Sequence, residues 1–222
     1  MSCTSPACSI GASAAGQAQP AKITMRRLRG HTAMVHCVAV TPNSRRALSS
    51  SDDKTIRVWD LVTGEEVQQW RLGSAAICLA ISPDNEHVAG GLADRTTRVW
   101  RLADGIEECR WDGGADFIAI TPDSQYVVTN DSRTIGVWTL MNGERVRKWR
   151  AFDPFRNYEL SGLAITPDGQ QIVSRASDDT FRVWDLSSKR EVCIMSGGGL
   201  FHIATTPNGL RMISLNRDCL VS

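Results

Sequence analysis

The stretch SSSDDKTIRVWDLVTGEEVQQW, residues 49–70, holds the pattern that decides the fold. Ser49 stands four positions before Asp53 and ten before Trp59, and Trp70 follows eleven residues later. Parts of this rhythm recur along the 222-residue chain. Trp59, Trp100, Trp138 and Trp184 end the runs TIRVW, TTRVW, TIGVW and TFRVW, at spacings of 41, 38 and 46. Eleven residues beyond each stand Trp70, Trp111, Trp149 and Met195. A second comb runs through Pro42, Pro83, Pro122, Pro167 and Pro207, spaced 41, 39, 45 and 40, each with an alanine three positions earlier. Two combs of matching period identify an internal repeat.

Each period holds four short strand candidates. An apolar run such as VHCVAV leads into a Pro-Asp or Pro-Asn turn, where proline presets φ and the acidic or amide side chain bonds its own backbone. A second strand follows, then a tight polar loop such as SDDK. The third strand is the TIRVW run with its β-branched residues. The turns VTGE, ADGI and MNGE place Gly64, Gly105 and Gly143 where positive φ is needed. The fourth strand, as in EEVQQW, is more polar and suits an outer position. Four antiparallel strands per period of about 40 residues, without helical periodicity, predict an all-β chain of propeller blades, with about five units and the last incomplete. The expected units are 28–70, 71–111, 112–149, 150–195 and 196–222, after a low-complexity head at 1–21 expected to be disordered.

The sequence resembles the WD-repeat (β-propeller) family from about Lys22 to the C-terminus. The resemblance implies a structural tetrad in the first unit: His31 of the RGH tripeptide, Ser49, Asp53 and Trp59, with Asp60 completing the Trp-Asp pair. The same reading follows from physics, because a buried imidazole and carboxylate need partners and a hydroxyl and an indole N–H supply them. A hydrolase triad of His31, Ser49 and Asp53 is the competing reading. It is set aside because no nucleophile-elbow glycine motif accompanies it. The later units depart from the pattern. Unit two keeps Asp94 and Trp100 but has Gly90 in place of the serine. Unit three has Thr129 and Trp138 one residue closer together, which leaves the role of Asp131 open. Unit four keeps Ser174, Asp178, Trp184 and Asp185, and unit five offers Ser214 and Asp218. None of the four repeats the Gly-His step.

The run KITMRRL (22–28) alternates well enough to serve as an outer strand donated to the last blade. A closed five-bladed ring, a part of a longer array and an open arc completed by another subunit all remain open. An open arc presents sheet edges and predicts self-association.

Charge and composition narrow the function. Twenty-five Lys and Arg against 24 Asp and Glu leave a net charge of +1, which gives no reason to expect nucleic acid or an anionic membrane as partner. Seven cysteines without close pairs or Cys-x-x-Cys spacing argue against a disulfide framework and a zinc site, and fit free thiols in the cytoplasm. None of His31, His36, His87 and His202 sits at metal-ligand spacing, and SGGGL (196–200) lacks the lysine of a phosphate loop. No catalytic residue, metal or cofactor is expected.

The expected role is a non-catalytic scaffold that binds a protein or peptide through its face loops. The long fourth interval carries Phe152, Phe155, Arg156 and Tyr158, side chains enriched at binding hot spots. Arg95, Arg175, Asp52 and Lys54 near the second-to-third-strand loops are secondary candidates. The alternatives are a regulatory region of a larger signalling NTPase or kinase and, last, an enzyme with its site in the channel.

Overall fold

A computed structural model describes residues 26–131, 133–151, 159–178, 180–196, 200–205 and 212–216, the final two segments and residue 196 as backbone strands. The head and the Phe152–Tyr158 stretch lie outside the described residues. Four sheets of four antiparallel strands follow one another, each in simple sequence order. The first contains β1 (Val35–Val40), β2 (Arg46–Ser51), β3 (Thr55–Asp60) and β4 (Glu66–Arg71). The second contains β5 (Ala76–Ile81), β6 (His87–Leu92), β7 (Thr96–Arg101) and β8 (Glu107–Asp112). The third contains β9 (Phe117–Ile120), β10 (Tyr126–Asp131), β11 (Thr134–Thr139) and β12 (Arg145–Arg150). The fourth contains β13 (Leu160–Ile165), β14 (Gln171–Ala176), β15 (Thr180–Asp185) and β16 (Glu191–Ser196). A two-stranded sheet of β17 (Leu200–Thr205) and β18 (Met212–Asn216) closes the described chain.

The proline comb marks one turn made four times among the described residues. The hydroxyl of Thr41 donates to Asn43 Oδ1 at 2.8 Å and accepts the Arg46 N–H at 2.9 Å. Ser82 with Asp84 and His87, Thr121 with Asp123 and Tyr126, and Thr166 with Asp168 and Gln171 repeat it. A hydroxyl before proline and a carboxylate or amide after it therefore close the first-to-second-strand hairpin. In the third-to-fourth-strand turns Gly64, Gly105 and Gly143 take φ of 78°, 73° and 66°, and Lys189 takes 61° in the fourth unit. The left-handed residue belongs to the turn, and glycine is its least strained occupant.

The two tryptophan combs meet between blades. Trp70 of β4 approaches Trp100 of β7 at 6.5 Å, Trp111 of β8 stacks on Trp138 of β11 at 5.3 Å, and Trp149 of β12 approaches Trp184 of β15 at 6.3 Å. Each outer strand thus sends its indole onto the third-strand indole of the next sheet. Three apolar clusters follow from this, one at each boundary between neighbouring four-stranded sheets. First strands pack in succession, β1 on β5, β5 on β9, β9 on β13 and β13 on β17, and no comparable packing joins the described fifth sheet to β1.

The face of blade one that looks away from blade two is therefore open. Val38 is 62% exposed and Val40 54%, whereas Leu79, at the register position of Val38 in blade two, is 7% exposed. Among the described residues, the segment from Arg26 to Gly30 lies along that flank. Arg26 Nη1 donates to Val62 O at 2.9 Å. Gln68 bonds Ala103 O at 2.6 Å and Arg147 bonds Leu186 O in the same manner, from a fourth strand to the next blade's outer turn. Arg26 thus stands where the outer strand of a preceding blade would stand. The rest of the expected donated strand, 22–25, lies outside the described residues.

Candidate functional site

The loop before β1 and the second-to-third-strand loop bring His31, Ser49, Asp53 and Trp59 together. His31 Nε2 lies 2.7 Å from Ser49 Oγ, and His31 Nδ1 lies 2.9 Å from Asp53 Oδ2. Trp59 Nε1 donates to the same Ser49 oxygen at 2.8 Å. A consistent proton assignment runs from the indole N–H to the serine, from the serine O–H to Nε2, and from Nδ1–H to the carboxylate. Burial opposes ionisation of Asp53. Hydrogen bonds from Thr55, His31 and the backbone N–H groups of Thr32 and Thr55 outweigh it and hold the carboxyl well below the usual carboxylate range.

The distances are those of a Ser-His-Asp relay, but the surroundings differ. Ser49 is 6% exposed and its oxygen already accepts the indole N–H. Burial and that bond keep the oxygen from the open approach to a substrate that a nucleophile needs. The His31 ring packs edge-on against Trp59 at 6.4 Å, continuing the series of ring contacts that two indoles make at the later boundaries.

The other units solve the same problem with fewer polar atoms. In blade two, a Cβ on Gly90 would come within 3.0 Å of both Trp100 and Leu79, so glycine makes room for the indole to pack inward. Asp94 turns to Arg98 at 2.7 Å and to Thr96. In blade three Trp138 donates to Thr129 Oγ1 at 3.0 Å, and Asp131 accepts the Thr134 hydroxyl, so Asp131 caps the start of β11 from one residue earlier in the turn. In blade four Trp184 donates to Ser174 Oγ at 2.8 Å, while Asp178 accepts from the backbone and hydroxyl of Thr180 and lies 3.9 Å from Arg182. Where the histidine is lacking, an arginine in the third strand takes the carboxylate in blades two and four.

Arg175 lies in β14, one residue before the strand ends at Ala176 and the second-to-third-strand loop begins, half-buried and engaged. The expectation that no histidine meets metal-ligand spacing needs correction at His87. The tight Pro83 turn folds back so that one ligand atom each from Asp84, Glu86 and His87 lie within 4.8 Å of one another. Sequence spacing missed this because the three residues are nearly adjacent, and only the turn converges them. Asp52 is bonded to His36 Nε2 at 2.6 Å, and Lys54 holds a positive-φ turn position.

At the end of the blades that carries the second-to-third-strand loops, a recess of about 730 Å³ opens between blades two and three. Arg95, Asp94, Asp112, Gly114 and Asp131 are among its walls. Asp94 and Asp131 are occupied by Arg98 and Lys148. Arg95 lies against Gly114 with its guanidinium exposed and, among the described residues, without an ion-pair partner. The aromatic candidates Phe152, Phe155 and Tyr158, with Arg156, lie outside the described residues.

Comparison with known proteins agrees with the repeat. The family model "WD domain, G-beta repeat" matches residues 22–60, 66–101 and 152–185. It passes over the third unit, where the sheet β9–β12 nevertheless forms. Small ribosomal subunit protein RACK1y of Oryza sativa subsp. japonica is 33% identical over 88% of this chain and 61% of its own length. Cilia- and flagella-associated protein 52 of Sus scrofa is 22% identical over 86% of this chain and 24% of its own. THO complex subunit 6 of Homo sapiens is 49% identical over 19% of this chain and 13% of its own. The chain spans less than two thirds of each of these relatives. With two combs, four complete blades and these matches together, the chain belongs to the WD-repeat family.

Proposed function

We propose that this chain is a non-catalytic scaffold that holds a protein or peptide partner on the loop face of its blades. The observation that supports this most directly is Arg95, exposed and, among the described residues, without an ion-pair partner, in the wall of the recess between blades two and three. Arginine is among the residues that anchor interfaces, and a preformed recess lowers the ordering cost of binding. By sequence, Phe152, Phe155, Arg156 and Tyr158 extend the same proposal to the fourth interval. The thiols fit a cytoplasmic setting: burial pushes Cys78 up to about 12 and Cys109 up to about 11, so both are poor nucleophiles. Affinity capture with tagged chain, compared against Arg95→Glu and Phe155→Ala, tests the reading. Partners lost from the variants at unchanged Tm support it, and retention of every partner by both variants contradicts it.

A second reading rests on the open flank of blade one. Exposed Val35, Val38 and Val40 favour a chain that works inside a larger assembly, covered there by another sheet. Light scattering distinguishes the two: association supports an assembly, and a stable, dispersed monomer near 24.3 kDa contradicts it.

A further inference from the structure

We infer that the first-to-second-strand turn of blade two is a binding site for a divalent transition-metal ion such as Zn²⁺. Its ligands are His87 and the carboxylates of Asp84 and Glu86. Three donor atoms, one from each residue, already lie within 4.8 Å of one another. A nitrogen and two carboxylate oxygens are the donor set such ions take from proteins.

The observation that separates this turn from an ordinary acidic surface is the state of His87. The residue is 7% exposed, and its Nδ1 is buried without a hydrogen-bond partner. The other ring nitrogen has a carboxylate beside it. Nε2 lies 3.2 Å from Glu108 Oε2, an ion-pair contact rather than an aligned hydrogen bond, and a carboxylate there favours the proton on Nε2, which leaves the Nδ1 lone pair over. A carboxylate beside a histidine's second nitrogen is the arrangement that orients and strengthens an imidazole ligand. Without a ligand, the buried lone pair is an uncompensated desolvation cost.

The turn is also held in place before any ion arrives. Asn85 takes φ of 64°, with its N–H on Ser82 O at 2.9 Å. Asn85 Oδ1 accepts the Asn43 N–H of blade one, and the Asp84 N–H reaches Ser124 Oγ of blade three. Asp84 Oδ1 accepts the Ser82 hydroxyl and the Glu86 N–H, and Ser124 also hydrogen-bonds the Asp84 carboxylate, so the group is held in place on the turn. The Glu86 carboxylate is exposed and, among the described residues, has no hydrogen bond or ion pair to release.

Local charge agrees. Arg45, Arg46 and Arg101 share the neighbouring recess with Glu86, His87 and Glu108. Arg101 is held by Asp104 at 2.7 Å, and Asp60 offsets Arg46. Arg101 also lies 3.8 Å from Glu108, and among the described residues no lysine or arginine pairs with Asp84 or Glu86, so a cation would lower the repulsion between those two carboxylates.

The test is a titration of the full chain with Zn²⁺ by calorimetry and with Co²⁺ by absorption. Because the chain carries seven cysteines, the Co²⁺ spectrum must separate thiolate from nitrogen and oxygen ligation. The expected result is one saturable equivalent in the micromolar range, without thiolate charge-transfer absorption, and a Tm that rises on adding Zn²⁺. Glu86→Gln, at an exposed position that leaves folding intact, weakens binding at least about tenfold. Glu108→Leu, which removes the carboxylate beside Nε2, weakens it about 10- to 100-fold. No saturable binding below about millimolar Zn²⁺, binding unchanged in Glu86→Gln, or a thiolate band from the bound Co²⁺ would each overturn the site.

Discussion

Blades one and two occupy equivalent places in the repeat and hold their third-strand tryptophan by different means. In blade one the Trp59 indole is fixed by a polar chain through Ser49 and His31 to Asp53. In blade two Gly90 removes the hydroxyl, and Trp100 is packed at 2% exposure between Leu79, Val88 and the Trp70 ring. The flank differs between them as well. Blade two has blade one beside it and packs its tryptophan there by apolar contacts. Blade one, among the described residues, has the Arg26–Gly30 segment there, and the imidazole of its network takes the place that an indole of a preceding blade takes elsewhere. Blades three and four combine a neighbouring sheet with a hydroxyl-to-indole bond. Polar bonds and apolar packing are therefore alternative ways to pin the same side chain.

The largest break in this comparison should come from the packed blade. Trp100→Ala is expected to lose about 3–5 kcal/mol, the usual range for a large buried aromatic. Leu79→Ala should lose about 2–5 kcal/mol. Ser49→Ala comes next, because it leaves His31 Nε2 and the Trp59 N–H unpaired, at about 1–3 kcal/mol for each orphaned group. Gly90→Ser should lose about 1–3 kcal/mol, since its Cβ meets Trp100 and Leu79 at 3.0 Å and the Cys78 carbonyl at 3.2 Å. Val38→Ala should change stability by less than about 0.5 kcal/mol in the isolated chain, although Leu79 fills the same register position one blade on. Denaturant melts of this set decide the matter. Equal losses at Val38 and Leu79 would show the flank of blade one to be covered.

Acid sharpens the same contrast. The folded pKa of Asp53 lies below its unfolded value, so its contribution is complete above about pH 4 and fades as pH falls below that. Asp53→Asn should therefore be less stable than the parent at pH 7, with the gap narrowing towards pH 3. A gap that stays constant over that range would remove Asp53 from the network.

Much of this was legible in the chain itself. The Pro and Trp combs carry the blades because each marks a local hydrogen bond or a ring contact that every repeat must make. The first-unit network was legible because all four of its residues occur at the right intervals. The pairing of Trp70 with Trp100 was not, since nothing in one repeat says which neighbour it touches. The exchange of histidine for Arg98 and Arg182 as carboxylate partners was hidden for a similar reason, because an arginine in a strand reads as a solvated charge. The Asp84–Glu86–His87 convergence escaped because it depends on a turn and on Glu108, a residue 21 positions after His87.

The most direct test of the claim that the blade-one network is a strut rather than a catalytic relay is reaction of the intact chain with a fluorophosphonate, read by mass spectrometry at Ser49. The account predicts no adduct and no ester hydrolysis that disappears in Ser49→Ala. A stoichiometric adduct on Ser49, with hydrolysis lost in that variant, would contradict it and make the first blade an active site.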